Sequence, residues 1–287
     1  MSPIQDRRTR PGTAMVHGPD ASMFERLRRA WRYRELVRNL TRINLLLKYR
    51  GSVLGLCWSL FNPLLMMVIY SIAFKFIMRV GIENYELFLL TGVLPWTFFA
   101  NAVSASTTCV VYNGALIKKV QIPYEAFPLS TAAFHFIQLT LALVVFAPFV
   151  LWVNGGATWP NLLYPVILLL FSLFTLGACL AASALNVRYR DVQHFTEVGI
   201  ALLFWLTPIV YDFDLIPDVQ IFGAIDVRTL FMFNPMTLFM NSFHDVLYWG
   251  RAPELATLGG LAVWTALSLA VGATIFRRVA PTMAEEI

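Results

Sequence analysis

Long stretches without a single Asp, Glu, Lys or Arg constrain this chain more than any other feature. They cover residues 53–74, 87–111, 131–153, 162–185, 198–211 and 255–276. Five of them hold 22 to 25 residues, and 198–211 holds 14. A bilayer core of about 30 Å needs roughly 20 apolar residues in a helix, because no water is present there to satisfy the backbone. The runs therefore predict an all-α integral membrane protein with six transmembrane helices, the fifth completed by its flanks. A further stretch, 229–243, has 15 residues and carries Asn234-Pro235 near its start. That length suits a re-entrant helix better than a span. Composition agrees: 14% of the residues are charged, against about 25% in a soluble domain.

The placement of Lys and Arg sets the orientation. Residues 1–52 hold twelve of the 22, and Lys118, Lys119, Arg188, Arg190, Arg277 and Arg278 fall on the same side of a six-span layout. Only Lys75, Arg79, Arg228 and Arg251 fall on the other. Both termini are expected in the cytoplasm. The net charge of +5 then reflects this bias and contact with anionic headgroups, not nucleic acid.

Residues 1–21, with Pro3, Pro11, Gly12, Gly18 and Pro19, predict a disordered cytoplasmic tail without the apolar segment of a signal peptide. Ser22 and Glu25 form a capping box. From there to residue 50, Phe24, Leu27, Trp31, Leu36, Leu40, Ile43 and Leu47 recur at helical spacing among arginines and lysines. This predicts an amphipathic helix lying on the cytoplasmic membrane surface. Residues 51–278 would form the membrane domain, and 279–287 a second cytoplasmic tail.

No acid or base occupies the middle of a run, which argues against proton- or sodium-coupled transport. His135 is the only imidazole within a span, and His17, His194 and His244 are scattered. Cys57, Cys109 and Cys179 lie in three different runs and suit packing, not a disulfide or metal pair. Neither a catalytic constellation nor a metal site is expected.

A polar stripe does emerge in the second run. Thr97, Asn101, Ser104, Thr108 and Tyr112 step by 4, 3, 4 and 4 and so share one helical face. Ser59, Asn62 and Tyr70 offer similar groups in the first run. Uncharged hydroxyls and amides suit a pathway for a neutral, hydroxyl-rich solute, although such groups also bond back to their own helix or join two helices. Ala266, Ala270 and Thr274, four apart, offer a close-packing line to a neighbouring helix. Trp31, Trp96, Phe98, Phe99, Trp205, Tyr211 and Trp249 are expected as interfacial anchors.

Several strings, in this order around these spans, resemble one family. They are Leu47-Lys48-Tyr49-Arg50-Gly51-Ser52-Val53-Leu54-Gly55 with Trp58 and Pro63-Leu64, then Asn113-Gly114-Ala115-Leu116-Ile117-Lys118-Lys119-Val120 with Pro123 and Pro128-Leu129. Asn186-Val187-Arg188-Tyr189-Arg190-Asp191-Val192 follows, then Phe204-Trp205-Leu206-Thr207-Pro208-Ile209-Val210-Tyr211 and Asn234-Pro235-Met236-Thr237. Over residues 22–278 the chain is similar to the permeases of type-2 ABC exporters of O-antigen, teichoic acid and related cell-surface glycans.

The resemblance implies a permease of the bacterial cytoplasmic (inner) membrane that moves lipid-linked polysaccharide outward. It implies a pair of permease copies with two ATPase subunits, which bind ATP and Mg. This chain has no GxxxxGK[ST] loop, so it would hold no cofactor. It further implies ATPase coupling through Asn113, Leu116, Ile117, Lys118, Lys119, Pro123, Arg188, Tyr189, Arg190 and Asp191. An external re-entrant hairpin near 212–250 would include Asn234 and Pro235, with Pro208 and Tyr211 leading into it. Asp212, Asp214, Asp218 and Asp226 make that loop acidic. The alternatives are an ABC exporter of drugs or lipids, a membrane glycosyl- or acyltransferase working through His135 or Asp191, and a structural assembly protein.

Overall fold

The computed structural model describes residues 33–51, 57–119, 122–217, 219–221 and 225–286. The expected N-terminal tail, the Ser22 capping box and Trp31 lie outside the described residues. Leu36–Ile287 form one compact unit.

The architecture is helical. In order come α1 (Arg34–Tyr49), α2 (Cys57–Tyr70), α3 (Tyr85–Tyr112), α4 (Gly114–Lys119), α5 (Ala126–Val153) and α6 (Tyr164–Arg188). They are followed by α7 (Val192–Trp205), α8 (Val227–Phe233), α9 (Pro235–Leu247), α10 (Leu255–Val279) and α11 (Met283–Glu286). α2 runs on into a π-helical segment, Ser71–Ile77. The one extended feature among the described residues is a two-residue antiparallel pair, Gln220–Ile221 with Ile225–Asp226. Four helical stretches are long and apolar enough to cross a membrane: Tyr85–Tyr112, Ala126–Val153, Trp159–Arg188 and Leu255–Val279.

α3 is the central element. Of its most apolar stretch 78% is buried, against 22, 39 and 17% for the other three. Around it the core is aromatic: Phe171 lies 5.0 Å from Phe239 and 5.4 Å from Phe243, and Phe99 stacks on Phe174 at 6.1 Å. Aromatic pairs at such separations add about 0.5–1.5 kcal/mol beyond their burial. Trp96, Phe98 and Phe99 belong to this core and are not interfacial anchors, because α3 begins at Tyr85 and carries them to its middle. Trp205 and Trp249 are exposed, as anchors would be.

α6 and α10 are in backbone contact. A Cβ at Gly272 would sit 2.1 Å from the Gly177 carbonyl oxygen, and one at Gly177 only 2.4 Å from Ser268. Ser268 Oγ donates to the Phe174 carbonyl at 2.8 Å, and Thr265 Oγ1 to that of Leu170 at 3.1 Å. Small residues thus let two helices approach where lipid offers no hydrophobic drive. The line Ala266, Ala270 and Thr274 is on the other, exposed side of α10.

The fifth apolar run does not form one helix over 198–211. α7 occupies Val192–Trp205 and stops there because Pro208 has no N–H and disfavours helical backbone at Thr207. The following Thr207, Pro208, Ile209 and Val210 are buried without helix. α9 then packs against this core with Met236, Phe239, Met240, Phe243 and Val246 all buried. Its 13 residues extend about 20 Å, too short to cross.

Candidate functional site

The two ends of the bundle differ in chemistry. At one end Cys109, Val110, Phe127, Ala184, Val187, Phe276, Val279 and Met283 form a second apolar cluster. It gathers the ends of α3, α6 and α10, the start of α5, and α11. Lys118, Lys119, Arg188 and Arg190 are exposed at the same end. Asn113 Nδ2 donates to the Cys109 carbonyl at 2.7 Å and closes α3, and Ile117 packs on the cluster. Leu116 is exposed and Pro123 partly so. The Arg188 guanidinium lies over the Tyr189 ring at 5.5 Å, and both side chains are exposed, as is Asp191. The expected coupling residues therefore share one end of the bundle.

Two contributors at that end are not evident in the sequence. Buried Asn186 accepts the Gln193 N–H at 3.1 Å and fixes the α6–α7 corner. Met283 is wholly buried, and Arg190 Nη2 donates to the Glu286 carbonyl at 3.0 Å. The expected C-terminal tail is therefore docked under the loops.

At the opposite end, side chains lace loops together. Tyr85 Oη donates to the Val210 carbonyl at 2.5 Å, Asn154 Nδ2 to that of Leu247 at 2.8 Å, and Tyr248 Oη to that of Glu83. Lys75 pairs with Glu86 and Arg251 with Asp245, each at 2.6 Å. Asn234 caps α9 by accepting the Met236 N–H at 3.0 Å, with Pro235 at the first helical position where its missing N–H costs nothing. Its Nδ2 also donates to the Leu206 carbonyl and to Thr207 Oγ1, both at 3.0 Å. Pro208, Asn234 and Pro235 thus meet at one corner. Tyr211 bonds back to the Trp205 carbonyl at 2.8 Å. Asn234→Ala should destabilise this corner by about 2 kcal/mol, or roughly 30-fold in local opening. Limited proteolysis within 206–235 would read this, and Asn234→Asp, which keeps only the cap, should fall between.

The polar stripe lies along the one open strip of α3. Thr97, Ala100, Asn101, Ser104, Ala105, Thr108, Val111 and Tyr112 are intermediate or exposed, while the positions between them are buried. Thr97 spends its hydroxyl on the Leu94 carbonyl at 2.9 Å. The Asn101 side chain makes no hydrogen bond to a described residue. Beside the strip is a cavity of about 90 Å³ whose lining includes Trp58 and Asn62 from α2, Thr97 and Asn101 from α3, and His135 and Gln138 from α5. A second of about 310 Å³, mostly apolar, is lined by Leu40, Leu47, Ala105, Cys109, Phe127 and Phe134 among others. Lys48 and His135 line both. Lys48 Nζ donates to Gln138 Oε1 at 3.3 Å and lies 5.3 Å from the Phe134 ring centre. Partial desolvation lowers its pKa below the ordinary lysine range. Thr41, buried, docks α1 by donating to the Val37 and Ser130 carbonyls.

Asn62 and Asn101 are brought together; Tyr70 is not with them, because it stacks on Phe204 of α7 at 5.7 Å. The side chain of Ser59 lies outside the described residues. His135 and Asp191 are on different elements, one buried and one exposed. Among the described residues no group of three or more His, Cys, Asp and Glu side chains could hold a metal ion. Cys109 and Cys179 are free and buried.

Long apolar helices around an open polar strip, with basic loops gathered at one end, define a multi-pass membrane protein. The chain belongs to the ABC-2 type transporter family, whose sequence profile matches residues 35–248. It is 30% identical over 266 residues to the O-antigen export system permease protein RfbA of Myxococcus xanthus, covering 92% of this chain and all of that one. Two proteins of that description from Klebsiella pneumoniae are 35% and 33% identical over 210 and 244 residues. Those matches cover 72% and 79% of this chain and 78% and 90% of the relatives.

Proposed function

We propose that this chain is the membrane subunit of an ATP-driven exporter that moves lipid-linked polysaccharide of the O-antigen kind outward across the bacterial cytoplasmic membrane. The observation that carries the reading is the strip from Thr97 to Tyr112, the sole unburied face of the helix at the centre of the bundle. A hydroxyl-rich cargo exchanges water for uncharged donors and acceptors at Asn101, Ser104 and Thr108. The names of the relatives point to the same cargo.

In this reading α2 and α7 complete six spans and both termini are cytoplasmic. The half-length α9 and the segment before it enter and leave on the external side. Two copies pair around the conduit, and two ATPase subunits dock at the basic end, where the segments around Lys118 and Arg188 transmit their motion.

Co-purification tests it. The tagged chain, gently extracted, should bring down an equimolar partner with a phosphate-binding loop, and the complex should hydrolyse ATP. A chain that purifies alone from its native membrane, while its ATPase is present in the extract, would sink the proposal.

A further inference from the structure

The segment after α10 buries an apolar side chain where a solvated tail would bury none. Arg277 and Arg278 in the last turn of α10 are exposed, which marks the aqueous end of that helix. Pro281 lacks an N–H and cannot continue it. Thr282 then donates to the Val279 carbonyl from both its N–H and its Oγ1, each at 3.0 Å. This turn carries Met283 back into the protein, where it is 0% exposed. Met283 belongs to the cluster that includes Phe127, Val187 and Phe276, and Leu40 of α1, Ile117 of α4 and Ile122 pack against that cluster.

Both basic loops close on this cluster. Ile117 immediately precedes Lys118 and Lys119, and Val187 immediately precedes Arg188. Arg190 Nη2 adds a second tie by donating to the Glu286 carbonyl at 3.0 Å. Among the described residues no side-chain hydrogen bond or ion pair joins the two loops to each other, so the cluster that Met283 completes is what they share. Ordering the segment costs backbone and side-chain entropy. A partner that grips two loops at once binds more tightly when their spacing is fixed beforehand, and that is the return on the cost. We propose that residues 280–286 are a brace that holds the 113–119 and 188–191 loops in register for a docking ATPase subunit, with Met283 as its positioning residue. The nature of the partner rests on the export reading above; the brace itself does not.

The test takes two readouts from the full chain in lipid nanodiscs: hydrogen exchange of its backbone amides, and its affinity for the co-purifying ATPase, stripped by washing and added back. Met283→Asp puts a charge into the apolar cluster and releases the segment. Amides of 114–119 and 189–193 should then exchange at least ten-fold faster, while those of 87–103 in the central helix keep wild-type rates. ATPase affinity should fall about ten-fold. Met283→Leu, which refills the space, should restore both. If Met283→Asp does not fold, Met283→Ala carries the same comparison with effects of about three-fold. Unchanged loop exchange would overturn the brace, and so would exchange that rises equally in the central helix, since Met283 would then serve the fold as a whole. Faster loops with full ATPase affinity would overturn the docking role. A wild-type chain that binds no ATPase would sink the export reading and this partner with it, while loop exchange that depends on Met283 would still uphold the brace.

Discussion

Gly272→Leu should abolish recovery of folded protein from the membrane. The first atom it adds would lie 2.1 Å from the Gly177 carbonyl oxygen and 2.9 Å from its carbon. These are backbone atoms that no rotamer change can move. Overpacking typically costs about 1–3 kcal/mol when side chains can adjust. Here α6 and α10 would have to separate along their length, losing the Ser268 and Thr265 bonds to opposing carbonyls. The expected loss is therefore above about 3 kcal/mol, a large part of a typical stability of about 5–15 kcal/mol. Size-exclusion profiles of gently extracted protein should show aggregate or nothing. Val263→Leu, an exposed position on the same helix, should leave the profile unchanged. A well-folded Gly272→Leu protein would mean that the backbone contact is not what holds these helices together.

Replacing Lys118 and Lys119 together by Glu should cut export more than ten-fold while the chain is made and inserted in normal amount. Both side chains are exposed on a six-residue helix whose buried support comes from Gly114 and Ile117, so folding does not depend on them. An exposed ion pair contributes about 0.2–1 kcal/mol. Reversing two charges also adds repulsion, so the docked ATPase should loosen by roughly 2 kcal/mol, or about 30-fold. Retention of the ATPase during washes should fall and should vary with salt, since exposed charges are screened over about 8–10 Å. If the lysines serve only as topology markers, the double variant exports normally once inserted, and the coupling role fails.

The apolar runs made the main helices legible because span length is set by bilayer thickness and needs no knowledge of neighbours. Runs 87–111, 131–153, 162–185 and 255–276 fall within the four long helical stretches. The end of α7 was harder to place. Pro208 carried the signal, but a 14-residue run with polar flanks reads as an incomplete span until Asn234, at the start of α9, is seen bonded to Leu206 and Thr207. Asn101 and Thr108 were legible from periodicity, whereas Lys48 and Gln138 are 90 residues apart in the chain and meet only through packing. Tyr70 fell with Asn62 by helical spacing and was drawn away by Phe204, a partner that spacing does not reveal. Trp96 and Phe99 misled because aromatic rings serve both interface and core, and only the helix limits distinguish the two. Met283 gave no signal, since a lone methionine after Ala280-Pro281 resembles any tail.

Tyr85, Asn154 and Tyr248 all donate to main-chain carbonyls, those of Val210, Leu247 and Glu83. Because Glu83 is two residues from Tyr85 and Leu247 adjoins Tyr248, the three bonds link the segment after α7, the start of α3, the end of α9 and the end of α5 in a single chain of contacts. Every residue has a carbonyl, so the accepting positions are tolerant: Val210, Glu83 and Leu247 can change identity without loosening a link. The whole fastening is written in three donor side chains, and a variant library would find its vulnerability there and not in the residues they hold.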